Sequence, residues 1–232
     1  MNTPSESKSQ EREMTTTSYA VLSILALRDH STYDIARQMA ISMHYMWPRA
    51  ESNVYAEPKR LVEAGMADAR EEWNGSRKRT VYSITNSGRA ALHAWLAAPS
   101  SASRYESEAA VKVFFAENGT VEDMLATIRG LADESAAIIR LYQNIADRYA
   151  VSEGAYPHRF GLSALAARLL LDQHAATLRW AAWAQQVVGE WETPLDKEPD
   201  WGIQLIQATG TPLQINGDPV RKIVEGSDSN TG

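Results

Sequence analysis

The chain has 232 residues, 44% of them hydrophobic, and a formal net charge of −6. That length bounds it to one large domain or two small ones, each with a core of its own. With no cysteine in the sequence, disulfides, thiol nucleophiles and cysteine metal sites are excluded, and the apolar runs are far too short to span a bilayer.

Residues 1–14 are polar, lack apolar periodicity and predict a disordered arm. They carry no run resembling a secretory signal, so a cytoplasmic location is the expectation. From Ser18, "SYAVLSILAL" predicts a short, largely apolar helix. "STYDIARQMAIS" follows, with Ser31 or Thr32 as its cap, Asp34 at its positive end, and Ile35, Met39 and Ile41 or Met43 as its buried stripe. A third helix is predicted over "ESNVYAEPKRLVEAG", where Val54, Pro58 and Leu61 share one face and Gly65 marks the stop. Its other face then carries Ser52, Asn53, Glu57, Lys59, Arg60 and Glu63. The interior Pro58 predicts a bent or early-terminated ladder around Val54 to Pro58, because proline has no N–H to donate.

Two strand-like runs, "MADAREEW" and "RTVYSIT", flank Asn74-Gly75, a hairpin signal in which both residues tolerate positive φ. Three consecutive cations, Arg77, Lys78 and Arg79, sit at this tip. Residues 15–98 hold ten Lys and Arg against eight Asp and Glu, so this segment is near +2 and the remainder near −8. A fourth helix, "NSGRAALHAWLAA", ends at Pro99. The order helix, helix, helix, hairpin, helix is that of a winged helix-turn-helix.

Beyond the linker "PSSASR", "YESEAAVKVFFAE" is amphipathic, and Thr120 with Asp123 resembles a capping box. Val121, Met124, Ile128, Leu131, Ser135, Ile138, Tyr142, Ile145 and Tyr149 then step by three and four, a seam of about four heptads. A second long helix, near Phe160 to Trp191, has an apolar face wider than one antiparallel neighbour covers. After Trp191 periodicity is lost, with "IQLIQ" as at most one short element. The resulting class is α+β, mostly α. It comprises an arm (1–14), a winged helix-turn-helix domain (15–98), a linker and amphipathic helix (99–119), a two-helix dimerisation domain (120–192) and a flexible tail (193–232).

These stretches, in this order, resemble the PadR family of bacterial transcriptional regulators. "AVLSILALRDHSTYDIARQM" is similar to the family's first two helices, with Tyr33, Asp34 and Ile35 matching. "SNVYAEPKRLVEAGM" is similar to its third helix at Tyr55, Leu61 and Gly65. "SRKRTVYSITNSGRAALHAWL" is similar to its basic wing and following helix at Tyr82, Thr85, Gly88 and Leu92. "ESEAAVKVFFAENGT" and the two long helices resemble the C-terminal domain of the longer members. The third helix departs from the family pattern, with proline at 58 instead of 56. The resemblance implies a homodimer on double-stranded DNA with a pseudo-palindromic operator, and repression relieved by a small molecule.

On that plan Ser52, Asn53 and Glu57 face base edges, while Tyr33, Tyr55, Lys59 and Arg60 suit phosphates. Arg77, Lys78 and Arg79 would lie along the backbone or in the minor groove. Taken singly, Lys59 and Arg60 read equally well as solubilising residues of an exposed helix face, and a basic hairpin tip is more often a solvated turn. A winged-helix module for protein interaction is therefore the alternative. Trp95, Trp180 and Trp183 are candidates for a small aromatic or cationic effector, with plain packing as the alternative for each. Trp47 and Trp73 are expected to pack. The dimer is expected to use Ile128, Leu131, Ile138, Tyr142, Leu165, Leu169, Leu178, Trp183 and Val187. His30, His44, His93, His158 and His174 form no ligand pair, and no phosphate loop or nucleophile elbow occurs. No catalytic residue, metal site, cofactor or membrane partner is expected.

Overall fold

The computed structural model describes residues 14–48, 51–151 and 156–208, without the side chains of Ser42, Glu51, Ser52, Asn74 and Arg77. The expectations for residues 1–13, and for 209–232 of the tail, lie outside this range. The chain divides into two compact units, with the boundary after Ser103.

In the first unit, α1 (Thr16–Leu25) begins at a reciprocal cap. The Thr15 hydroxyl accepts from the Ser18 N–H, and the Ser18 hydroxyl accepts from the Thr15 N–H. Two of the donors that a helix start leaves open are thereby satisfied. Ala20, Val21, Leu22, Ile24 and Leu25 are all buried, so α1 is enclosed on most sides and forms the centre of the core. The two-residue β1 (His30–Ser31) leads into α2 (Thr32–Ser42), whose cap is Ser31, paired with Asp34. α3 (Glu51–Glu63) and α4 (Asn86–Ala97) flank the hairpin of β2 (Ala67–Asn74) and β3 (Arg77–Ile84). Ile35 and Met39 of α2 join Val54 and Leu61 of α3 around α1. Burial of each such aliphatic side chain contributes about 1.5–3 kcal/mol.

α3 stops at Gly65, whose φ of 71° is open to glycine without strain. The Met66 N–H bonds the Leu61 carbonyl and the Gly65 N–H the Val62 carbonyl, so two end carbonyls are satisfied. This joint is tied to the start of α4. The Thr85 hydroxyl donates to the Gly65 carbonyl at 2.9 Å, and a Cβ on Gly88 would lie 2.1 Å from the Met66 carbonyl oxygen. The three strands are antiparallel in the order β1-β3-β2. Asn74 pairs with Arg77, which makes the turn Gly75-Ser76 and not Asn74-Gly75. Gly75 alone has positive φ among the described turn residues, at 62°. A first-position glycine is what a type II′ turn requires, and that geometry matches strand twist.

In the second unit, α5 (Glu108–Phe114) precedes α6 (Val121–Val151), α7 (Phe160–Val188) and α8 (Pro199–Gln207). Thr120 and Asp123 form the reciprocal cap of α6, with the Asp123 N–H donating to the Thr120 hydroxyl at 3.1 Å. α6 and α7 pack antiparallel. Met124 and Ile128 cluster with Ala181, Ala184 and Val188, the Ser135 hydroxyl meets His174 Nδ1 at 3.2 Å, and Tyr149 stacks on Phe160. Part of the seam is therefore covered within one chain. Ile128, Ile138 and Leu178 are buried within the unit. Leu131, Tyr142, Trp183 and Val187 are half-buried, whereas Leu165 and Leu169 are 73% and 68% exposed. α8 contains the "IQLIQ" run, and its Trp201 meets Trp191 edge-to-face at 5.7 Å.

His30 is buried with its Nε2 unpartnered, and pairs in register with Tyr82. Burial foremost, then the charge of Arg28, holds its pKa below 6.5 against Asp34 and Asp29. His174 is lowered too, by burial opposed by Glu134. A lowered histidine pKa means the unfolded chain binds the proton more readily. The stability is complete above 6.5 and is lost as pH falls below it. The melting temperature is expected to drop between pH 7 and pH 5, and His30→Leu should flatten that drop; an unchanged pH profile would contradict this role.

Candidate nucleic-acid interface

α3 sorts its side chains by position, not by charge. Val54, Glu57, Pro58 and Leu61 are buried, while Asn53, Tyr55, Lys59 and Arg60 are exposed. Glu57 was expected on the outer face because it is charged. It lies three residues after Val54 and four before Leu61, so helix geometry turns it inward. There the Ser18 hydroxyl of α1 donates to one carboxylate oxygen, and Arg60 Nη1 lies 3.4 Å from the other. A buried carboxylate needs such partners, since desolvation would otherwise drive it to neutralise or turn out. Glu57 is thus withdrawn from base contact. Pro58 does not end the helix, which runs through it to Glu63 with the ring fully buried. Its missing N–H deprives the Val54 carbonyl of the usual donor, a cost offset by burying the ring in the core.

The outer face holds Asn53, Tyr55 and Lys59, with Lys59 loosely paired to Glu63 at 3.9 Å. Tyr33 is exposed on α2 of the same unit. The side chains of Ser52 and Arg77 lie outside the described residues. On the hairpin, Lys78 Nζ is 2.5 Å from Glu71, and Arg79 is 3.4 Å from Glu72, which also holds Arg70 at 2.8 Å. The basic run is therefore partly neutralised by the strand opposite, an effect invisible in a local count of cations. The Ser31 hydroxyl bonded to it, foremost, keeps the Asp34 carboxyl below its usual range, with the Ser31 N–H, His30 and lastly Arg79 adding to this against burial. Trp73 does not pack as expected: it is 72% exposed near the hairpin tip.

The three aromatic effector candidates separate. Trp95 stacks on Tyr19 with ring centroids 4.8 Å apart, inside the first unit. Trp183 packs on the α6–α7 cluster. Trp180 lines a cavity of about 460 Å³ with Tyr105, Ala110, Val113, Phe114, Leu131 and Thr177 of the second unit. Among the described residues no group of three His, Asp or Glu could hold a metal, and no helix is long and apolar enough to cross a membrane.

Residues 21–94 match the "Transcriptional regulator PadR-like family", and residues 106–188 match the "Virulence activator alpha C-term" family. The winged unit carries a PadR-like transcriptional-regulator domain, and the long-helix unit a domain of the second family. It is 32% identical over 79 residues to the negative transcriptional regulator PadR of Bacillus subtilis (strain 168). That alignment covers 34% of this chain and 43% of the relative, so less than half of the relative's length is matched. The Bacillus PadR structure in complex with operator DNA shares the fold at a TM-score of 0.66 and 20% identity, over 75% of this chain and 99% of that one. Its complex with p-coumaric acid gives 0.61 and 21%, over 75% and 98%. The Vibrio cholerae virulence activator AphA gives 0.58 and 24%, over 75% and 98%. At these identities the likeness is one of fold. The PadR-like winged unit and a long-helix unit are both present in this chain.

Sequence reasoning missed the Ser18–Glu57 bond, although the spacing of 54, 57 and 61 carried the signal. Glu57→Ala is expected to lower unfolding stability by about 1–3 kcal/mol, because the Ser18 hydroxyl is left buried without its acceptor. Combining it with Ser18→Ala should cost less than the two changes added. Urea unfolding of the four proteins measures this, and strict additivity would contradict the bond.

Proposed function

We propose that this chain is a homodimeric, DNA-binding transcriptional repressor acting in the cytoplasm, without catalytic activity or a cofactor. The observation that carries the reading is the joint exposure of Asn53, Tyr55 and Lys59 on α3 within the unit that bears the basic hairpin. Asn53 and Ser52 at the start of α3 suit base edges; Asn can bond adenine through two contacts. Tyr33, Tyr55, Lys59 and Arg60 serve phosphates, and Arg77, Lys78 and Arg79 serve the backbone beside them. The family and the operator complex of the Bacillus PadR support this assignment.

Exposed Leu165 and Leu169, with half-buried Leu131, Tyr142, Trp183 and Val187, supply the apolar area for a second copy. Two copies would place two α3 helices in successive major grooves of a pseudo-palindrome. The cavity beside Trp180 has the size and apolar walls of a small-ligand site. A flat aromatic acid such as p-coumaric acid, which the Bacillus relative binds, fits that chemistry. The paired state of Lys78 and Arg79 favours a second reading, a winged-helix module that binds protein instead of DNA.

Binding of the chain to DNA from upstream of its own gene separates the two. The repressor reading expects preference over random DNA and a linear fall of log affinity with log salt. Replacing Arg77, Lys78 and Arg79 by alanine should shallow that slope by about 1 per lost phosphate contact. p-Coumaric acid should release the DNA from the wild type and not from Trp180→Ala. Equal affinity for random DNA, or a triple variant indistinguishable from wild type, would favour the protein-interaction module.

A further inference from the structure

Trp73 stands opposite Lys78 in the register, and cross-strand partners share a face of the sheet. The pairs Ala67–Ile84 and Ala69–Tyr82 lie on that same face, and Ala67, Ile84 and Tyr82 belong to or pack on the core of the first unit. Trp73 thus continues the core-facing row past the end of the core. A large indole there is 72% exposed, with no interior left to fill. Its surroundings have a defined charge. From Trp73 to Arg79 the chain carries three cations and no carboxylate, because Glu71 and Glu72, which pair with Lys78 and Arg79, lie on the base side of it.

An exposed indole opposite Lys78, at a tip whose sequence holds three cations, matches a surface that is both apolar and anionic. The wall of a DNA groove is such a surface, with deoxyribose faces between phosphates. Indole offers an apolar face to the sugar and one N–H to a phosphate oxygen. Apolar wedges on cationic elements recur in minor-groove contacts. A second copy of the tip is the other apolar partner at hand, but it would bring three cations against three, which opposes pairing.

We infer that Trp73 is a DNA-contact residue of the hairpin, packing on the sugar-phosphate wall of the groove. It supplies affinity that the partly neutralised Lys78 and Arg79 do not. This rests on the DNA-binding reading above.

The test is fluorescence anisotropy with a labelled duplex from the upstream region, over a range of salt. Trp73→Ala should weaken binding about tenfold, as loss of aromatic contacts to nucleic acid does. Its salt slope should stay that of wild type, because no counterion is released at an uncharged group. Lys78→Gln should instead shallow the slope by about 0.9. Trp73→Phe should retain most of the affinity, and the emission difference between wild type and Trp73→Phe should change on adding duplex. Trp73→Ala binding within twofold of wild type, or an emission difference blind to DNA, would overturn the inference alone. A variant that binds DNA normally but sediments at half the wild-type mass would overturn it in favour of self-association. A wild type that fails to bind any duplex would sink the DNA reading and this inference together.

Discussion

A buried carboxylate anchors the helix that presents the candidate reading face. Glu57 is enclosed by the core, takes a hydrogen bond from Ser18 at the first turn of α1, and meets Arg60 one turn further along α3. Hydrophobic contacts hold α3 against α1 but are non-directional, and they tolerate small rotations about the helix axis. A directional bond between a serine and a carboxylate removes that freedom. The rotation of α3 decides which side chains point outward, so Asn53, Tyr55 and Lys59 depend on it. Arg60, itself exposed, shares in the contact through Nη1.

Electrostatics in the hairpin follow a different logic. Three cations in sequence suggest a strongly positive tip, yet Glu71 and Glu72 on the neighbouring strand meet Lys78 and Arg79. Exposed pairs of this kind stabilise by at most about 1 kcal/mol each and are screened by salt. They can therefore exchange a carboxylate for a phosphate at small cost. The pairs pre-position the cations along the strand while moderating nonspecific attraction. Trp73 fits the same division, since an apolar contact does not weaken as salt rises.

Much of this was legible in the sequence. Gly65, Thr85 and the Thr120–Asp123 pair mark helix ends through local chemistry, and all three act as caps or stops in the structure. The three-and-four stepping from Val121 to Tyr149 identified α6 in the same way. What was not legible depends on neighbours distant in the chain. Glu57 was placed outward by its charge; its spacing from Val54 and Leu61 marked it as inward, but nothing near it in sequence reveals its partner Ser18, 39 residues away. Periodicity shows that the α6 stripe is buried but not by which chain, and within this chain Ile128 and Ile138 of α6 and Leu178 of α7 are already buried. Pro58 was placed on the buried face with Val54 and Leu61, where it lies, but was expected to bend or end the ladder early, whereas the helix runs through it to Glu63. The turn slipped by one residue because Asn74-Gly75 is the stronger motif, while the strand register chose Gly75-Ser76.

On the proposed function, two copies of the chain present two α3 helices to one duplex. Sedimentation equilibrium of the chain with a duplex from its own upstream region, combined with footprinting, measures this directly. Two chains per duplex and two protected half-sites centred about one helical turn apart, or a multiple of that, are expected. One chain per duplex, or a single continuous footprint that shifts freely with sequence, would contradict it.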